Sequence, residues 1–186
     1  MKSDKDTNLV WVDLEMTGSD NNIHKIVEVA VIITNKDLEI LEESESFVIW
    51  QPQDVLDGMN DYVRDMHTSS GLLPKIRASK HSEKDVEKQI LDLIERHVNE
   101  KMSPLCGNSV HWDRMFLQKY MPDFTDYLHY RNIDVSTIKE LYKRWKPGSP
   151  VFEKKKKHEA LEDIKESIDE LKFYRNKFFM SSSLQL

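Results

Sequence analysis

The sequence predicts an α/β domain, a mixed sheet of about five strands with the first three antiparallel, flanked by helices. Three observations lead there. The apolar stretch Leu9 to Glu15, the β-branched run Lys25 to Thr34 and the looser alternation from Glu39 to Trp50 form the pattern of a three-strand meander. Two later short strands, Pro104 to Ser109 and Tyr130 to Val135, each run into a stretch of helical periodicity. The chain has 186 residues, 39% of them hydrophobic and 32% charged, enough to bury one core without disulfides or a structural metal.

Each element has a local cause. From Asp54 to His67 the pattern is weakly helical, and Thr68-Ser69-Ser70-Gly71 interrupts it. Ser82 is an N-cap with Asp85 at the third position, and Val86, Ile90, Leu93 and Ile94 follow at helical spacing. Trp112 to Tyr120 begins a helix that Pro122 limits, and Ser136 to Trp145 a second one that Pro147-Gly148 stops. The last helix runs from about His158 to Phe178 with Leu161, Ile164, Ile168 and Leu171 on one face. Residues 1–7 are expected to be disordered, 8–180 to form a single domain and 181–186 a tail; no repeat or linker divides the chain.

Composition excludes several classes of function. No apolar run approaches the roughly 20 residues needed to span a bilayer. Met1 to Asn8 is polar, with neither a signal-peptide apolar stretch nor a transit-peptide bias, so a cytoplasmic location is expected. Cys106 is the only cysteine, which rules out an intramolecular disulfide and a zinc-thiolate cluster and suits a reducing compartment. A net charge of −6 argues against gripping long nucleic acid by neutralising many phosphates, but not against a dinucleotide whose phosphates are met by bound cations. The lysine run Lys154 to Lys157 has the composition of a solvated loop.

The acids are more informative. Asp13 and Glu15, two residues apart on a strand, share one face at its carboxyl end, where two carboxylates repel unless cations neutralise them. Asp113 falls in the first turn of a helix. His158 and Asp163 are five residues apart, about 500° of helical rotation, which places His158 on the loop before the last helix and Asp163 in its first turns. Four acids and a histidine are the parts of a two-metal phosphoryl-transfer site; carboxylates without cysteine select hard ions, two Mg²⁺ or Mn²⁺, and a histidine can take the water's proton at neutral pH. Taken singly, the same residues suit blander roles: a surface pair at a strand end, a helix cap, a loop histidine, an acid on an amphipathic helix.

Taken together they carry a resemblance. Asp13-Leu14-Glu15-Met16-Thr17-Gly18, Cys106-Gly107-Asn108-Ser109 with Asp113, Asp134-Val135-Ser136-Thr137 with Arg144-Trp145-Lys146-Pro147, and His158-Glu159-Ala160-Leu161-Glu162-Asp163-Ile164 resemble the oligoribonuclease family of DEDDh 3′-5′ exonucleases, from about Asn8 to Phe178. The resemblance implies an RNase H-like fold and a homodimer that degrades RNA of two to about five nucleotides to 5′-mononucleotides. It implies Asp13, Glu15, Asp113 and Asp163 as metal ligands and His158 as general base. Substrate contacts are implied for Thr17, Asn108 and Ser109, and for His67 in a segment near the substrate. Tyr130 and Arg131 would reach the partner's site, Tyr130 stacking on the 5′ base, with Arg131 and Ser136 capping the 5′ phosphate beside Ser109 of the first subunit. Two positions depart from the family: Ser19 stands where a leucine wedge is usual, and Tyr62 where a tryptophan packs on the 3′ base. A related exonuclease trimming longer ends, and a non-catalytic RNA-binding module, are the competing expectations.

Overall fold

The computed structural model describes residues 4–154 and 159–179. Six strands form one mixed sheet: β1 (Leu9–Met16), β2 (Ile26–Thr34), β3 (Ile40–Glu43), β4 (Phe47–Val48), β5 (Leu105–Gly107) and β6 (Asn132–Asp134), in the order β3-β2-β1-β5-β6 with β4 also on β2. β1 runs antiparallel to β2 and parallel to β5, and β5 parallel to β6, so the expected mixed sheet with an antiparallel start is present. The helices are α1 (Gln53–Asp57), α2 (Asp61–Ser69), α3 (Leu72–Ala78), α4 (Glu83–His97), α5 (His111–Tyr120), α6 (Pro122–Tyr127), α7 (Val135–Trp145) and α8 (Ala160–Tyr174).

Alternation along β1 sorts the two layers. Val10, Val12 and Leu14 face a core shared with α4, α5 and α6, whereas Trp11 packs with α7 and α8 through Val135, Tyr142, Ile164 and Ile168. Because Asp13 and Glu15 continue the Trp11 face, they point toward α8. A third cluster, Val27 with Leu56, Met59, Leu72, Leu73 and Ile76, seats α1 to α3.

Several expectations change in detail. The strand expected over Glu39 to Trp50 is two strands, because five residues of the edge (Glu43 to Phe47) span four of β2 (Ile32 to Val29), and the Ser44 hydroxyl accepts from the Val31 N–H across the gap. Gly58-Met59-Asn60 divides the expected helix over 54–67, with Asn60 capping the Val63 N–H. α3 and α6 were not expected: Pro74 and Pro122 look like breakers, yet each stands in a first turn, where an N–H has no intrahelical partner to lose. Residues 4–7, expected to be disordered, form a 3₁₀ turn (Asp4–Asp6) tied down by Lys5 to Glu95 O (3.2 Å) and Asn99 to Asp6 (2.8 Å). Ser82 and Asp85 form a reciprocal capping box on α4, as expected.

Candidate metal centre and substrate pocket

The carboxyl ends of β1 and β5 and the first turns of α5 and α8 meet at one place. One oxygen each of Asp13, Glu15 and Asp163 lie within 4.8 Å of one another. Asp113 joins from α5: past the last β1–β5 pair, Trp11 with Cys106, the Leu14 N–H donates to Asp113 Oδ1 at 3.1 Å. That bond closes the open end of the ladder with a side chain and fixes the carboxylate beside the other three. Gly107 is required here, because a Cβ would come within 3.0 Å of Val12 O.

Such crowding is costly for anions. Burial first, then Asp113, Glu15 and Asp163, hold the Asp13 carboxyl well above the usual carboxylate range. Burial, Glu28 on the neighbouring strand, Asp163 and Asp113 push Glu15 up to about 8, and burial pushes Asp113 up to about 7. Carboxylates that resist ionising, gathered on a shared oxygen-rich face, are the donor set that hard divalent cations satisfy; Asp13, Glu15, Asp113 and Asp163 would hold them.

His158 lies outside the described residues, as do Lys155 to Lys157. His67, expected at the substrate, is 1% exposed: its Nε2 lies 2.9 Å from Met16 O and its Nδ1 3.9 Å from Glu15. It therefore stands behind the end of β1, beside Glu15. Thr17 is likewise buried, its hydroxyl accepting from Lys25 N (3.0 Å) and meeting His24 Nδ1 at 3.2 Å; this packs His24 against Gly18, where any Cβ would strike the imidazole. Tyr62 is exposed at the start of α2 and borders a groove of about 360 Å³ that also touches Glu15, Gly18, Ser19 and Met66.

A second cluster lies at the ends of β5 and β6. Ser109, at φ +52°, turns its N–H to Asp134 Oδ1 (2.9 Å) and Ser136 Oγ (3.0 Å). Ser109 and Ser136 hydroxyls are 3.2 Å apart, and Ser136 Oγ donates to Asn108 Oδ1 at 3.0 Å. Ser136, expected to reach Ser109 across a subunit boundary, thus meets it within one chain, because parallel pairing sets Asp134 beside Gly107. Beneath them Asn108 Nδ2 donates to Ser167 Oγ (2.8 Å) and to Glu170 (3.2 Å), which is fully buried. Lys154, expected in a solvated loop, is turned inward: its Nζ lies 3.1 Å from Ser167 Oγ and 3.7 Å from Glu170, and it lowers the Asp13 pKa against the stronger upward influences.

Tyr130 and Arg131 are not in this cluster. β6 begins at Asn132, level with Leu105 and through it with Val10, so Tyr130 precedes the amino ends of the parallel strands. At about 3.3 Å per residue and 4.8 Å per strand, it stands on the order of 15 Å or more from Asp13 of its own chain. The loop is held by Arg114, which donates to His129 O (3.0 Å), Arg131 O (3.3 Å) and Asn132 Oδ1 (2.6 Å). Tyr130 is 74% exposed, stacks on His129 at 4.5 Å and accepts from Arg131 Nε at 3.1 Å.

Asp134, Glu170, Lys154 and Arg114 were missed as site-forming residues. Asp134 alone had a signal, the cap pattern Asp134-Val135-Ser136 at a strand-to-helix junction, where its side chain accepts from Ser136 N.

Known proteins resemble this chain. The exonuclease family RNase_T matches residues 10–171. The oligoribonuclease of Actinobacillus pleuropneumoniae is 51% identical over 172 residues, covering 92% of this chain and 94% of that one, and the oligoribonuclease of Francisella tularensis is 52% identical over 170 residues, covering 91% and 95%. Among solved structures, the zinc-bound exonuclease I–ssDNA complex of E. coli superposes with a TM-score of 0.72 at 15% identity, and exonuclease I of Methylocaldum szegediense with 0.71 at 15%. This chain covers 92% of its own length in each case but spans only about two fifths of those exonuclease I chains, 41%; at that identity the likeness shows the fold.

Proposed function

This chain belongs to the oligoribonuclease family of RNase_T exonucleases, and from that premise we propose that it is a metal-dependent 3′-to-5′ exoribonuclease that degrades RNA of two to about five nucleotides to 5′-mononucleotides. The observation that carries the reading is the convergence of Asp13, Glu15 and Asp163 within 4.8 Å, with Asp113 fixed beside them by Leu14 N.

Asp13, Glu15, Asp113 and Asp163 would hold two cations, Mg²⁺ or Mn²⁺. Such ions, when bound, lower the pKa of water and neutralise charge on the departing oxygen. The chain's own residues do the rest. His158, ahead of the α8 carboxylate in sequence, accepts the proton of the attacking water. His67 steadies Glu15, and Tyr62 offers its face to the 3′ base across the groove, with Thr17 shaping the turn beside it. Asn108, Ser109 and Ser136 bound the space for the substrate's 5′ end. Tyr130 stands too far from its own carboxylates to serve them, which supports a homodimer in which Tyr130 and Arg131 reach the partner's site. A guanidinium and hydroxyls closing on a terminal phosphate reject longer chains, whose 5′ side would have to pass through the cap. No helix among the described residues is long and apolar enough to cross a membrane, and with one buried cysteine the protein suits the cytoplasm.

The test is mononucleotide release from 5′-phosphorylated RNA of two to about 20 nucleotides, with and without magnesium. Magnesium-dependent turnover that falls with length is expected; rates that rise with length would overturn the short-substrate reading, and turnover unaffected by chelator would overturn the metal assignment.

A further inference from the structure

We propose that Glu170 is a positioning residue that sets the hydrogen-bond polarity of the pocket at Ser109 and Ser136, and thereby the preference for a 5′-phosphorylated end. The inference deepens the function proposed above and rests on it.

Donor and acceptor capacities fix the direction of every bond in this network. The Ser167 hydroxyl has one hydrogen, and it goes to Asp163 O at 2.8 Å. Its lone pairs then accept from Lys154 Nζ (3.1 Å) and Asn108 Nδ2 (2.8 Å). Glu170, fully buried between Lys139 (3.1 Å) and Lys154 (3.7 Å), faces two ammonium donors and accepts from Asn108 Nδ2 as well. Two acceptors on one side of Asn108 require its NH₂ there, so its Oδ1 must face Ser136.

The consequence passes up the chain of bonds. Ser136 spends its hydrogen on Asn108 Oδ1 and can only accept from above, where it takes the Ser109 N–H at 3.0 Å. The Ser109 hydroxyl, which must then donate to Ser136 Oγ across the 3.2 Å contact, is the group whose hydrogen can swing to an incoming anion. An Asn108 amide free to flip would present NH₂ to Ser136 instead and reverse this order. Buried carboxylates are costly unless paired, so a glutamate placed here with two lysines serves specificity more than stability.

The experiment compares kcat/KM for a diribonucleotide with a 5′ phosphate and one with a 5′ hydroxyl, in magnesium, for the wild type, Glu170→Gln and Ser167→Ala. Each variant should lower the phosphate-to-hydroxyl ratio by about tenfold, the scale of one charge-assisted hydrogen bond, and through KM more than kcat. A purely structural role would depress both substrates together, and an unchanged ratio overturns the proposal. Should Glu170→Gln fail to fold by circular dichroism, the Ser167→Ala ratio decides alone. Failure of the wild type to cleave either substrate would instead overturn the proposed function, and a wild-type ratio near one would overturn the 5′ cap and this inference with it.

Discussion

At the carboxyl ends of β1, β5 and β6, four buried or half-buried acids gather beside a hydrogen-bonded group of half-buried Asn108 and Ser136 with exposed Ser109, while at the opposite ends Tyr130 and Arg131 project outward on a loop pinned by Arg114. The first region can assemble its chemistry within one chain. The second has aromatic and cationic groups suited to a nucleotide but stands away from Asp13, Glu15, Asp113 and Asp163 of its own chain. The difference teaches that parallel pairing gathers the metal-binding end and, by the same geometry, excludes Tyr130 from it; in the proposed homodimer a second copy would bring the two regions together.

The comparison breaks first at the acids. Asp13→Ala should cut kcat by about a thousandfold or more with the fold and assembly state intact, measured by single-turnover assay, circular dichroism and light scattering; near wild-type turnover would show that the buried cluster is not the reaction centre. Next in size, Tyr130→Ala should lower kcat/KM by about ten- to a hundredfold. Mixing inactive Asp13→Ala with Tyr130→Ala should then restore about a quarter of wild-type activity, since half of randomly paired dimers are mixed and each mixed dimer has one complete site. Additive, uncomplemented rates would mean that each chain uses its own Tyr130.

A smaller effect is expected on the groove side of the same end. Tyr62→Ala should raise KM about tenfold with kcat little changed, the scale of one lost base–aromatic stack. Equal loss in kcat would instead make Tyr62 part of the reaction centre.

The smallest effect is thermal. Glu15 at about 8 and Asp113 at about 7 lie above the roughly 4 of an unfolded carboxylate, so the metal-free folded chain keeps protons that the unfolded chain has released. These groups leave stability whole below about pH 4, and it declines as pH rises toward 7 to 8. Cations relieve that penalty, so the rise in Tm on adding Mn²⁺ should be larger at pH 8 than at pH 5. A pH-independent shift would place the metal away from these acids.

Much of this was visible in the chain beforehand. The Asp13–Glu15 pair announced itself because period-two alternation puts both on one strand face, and Asp163 because helical rotation separates it from His158. The capping box at Ser82 was legible for the same local reason. Less legible were α3 and α6, whose prolines look like breakers until their place in a first turn is known. Lys154 was misassigned for a tertiary reason: a charge run looks solvated unless a buried partner, here Glu170 sixteen residues on, is known to await it. The burial of His67 against Met16 O was not legible, because it follows from the packing of α2 on the end of β1.

Local periodicity, caps and residue chemistry thus determined from the sequence alone which segments are strands, which are helices and which acids share a strand or a turn, because those depend on neighbours a few positions away. What only the tertiary structure decided is which remote groups meet: Asp113 on Leu14, Ser136 on Ser109, Asn108 on Glu170, and Tyr130 on none of the carboxylates. Those pairings depend on sheet order and register, which join residues tens of positions apart and leave no periodic trace along the chain.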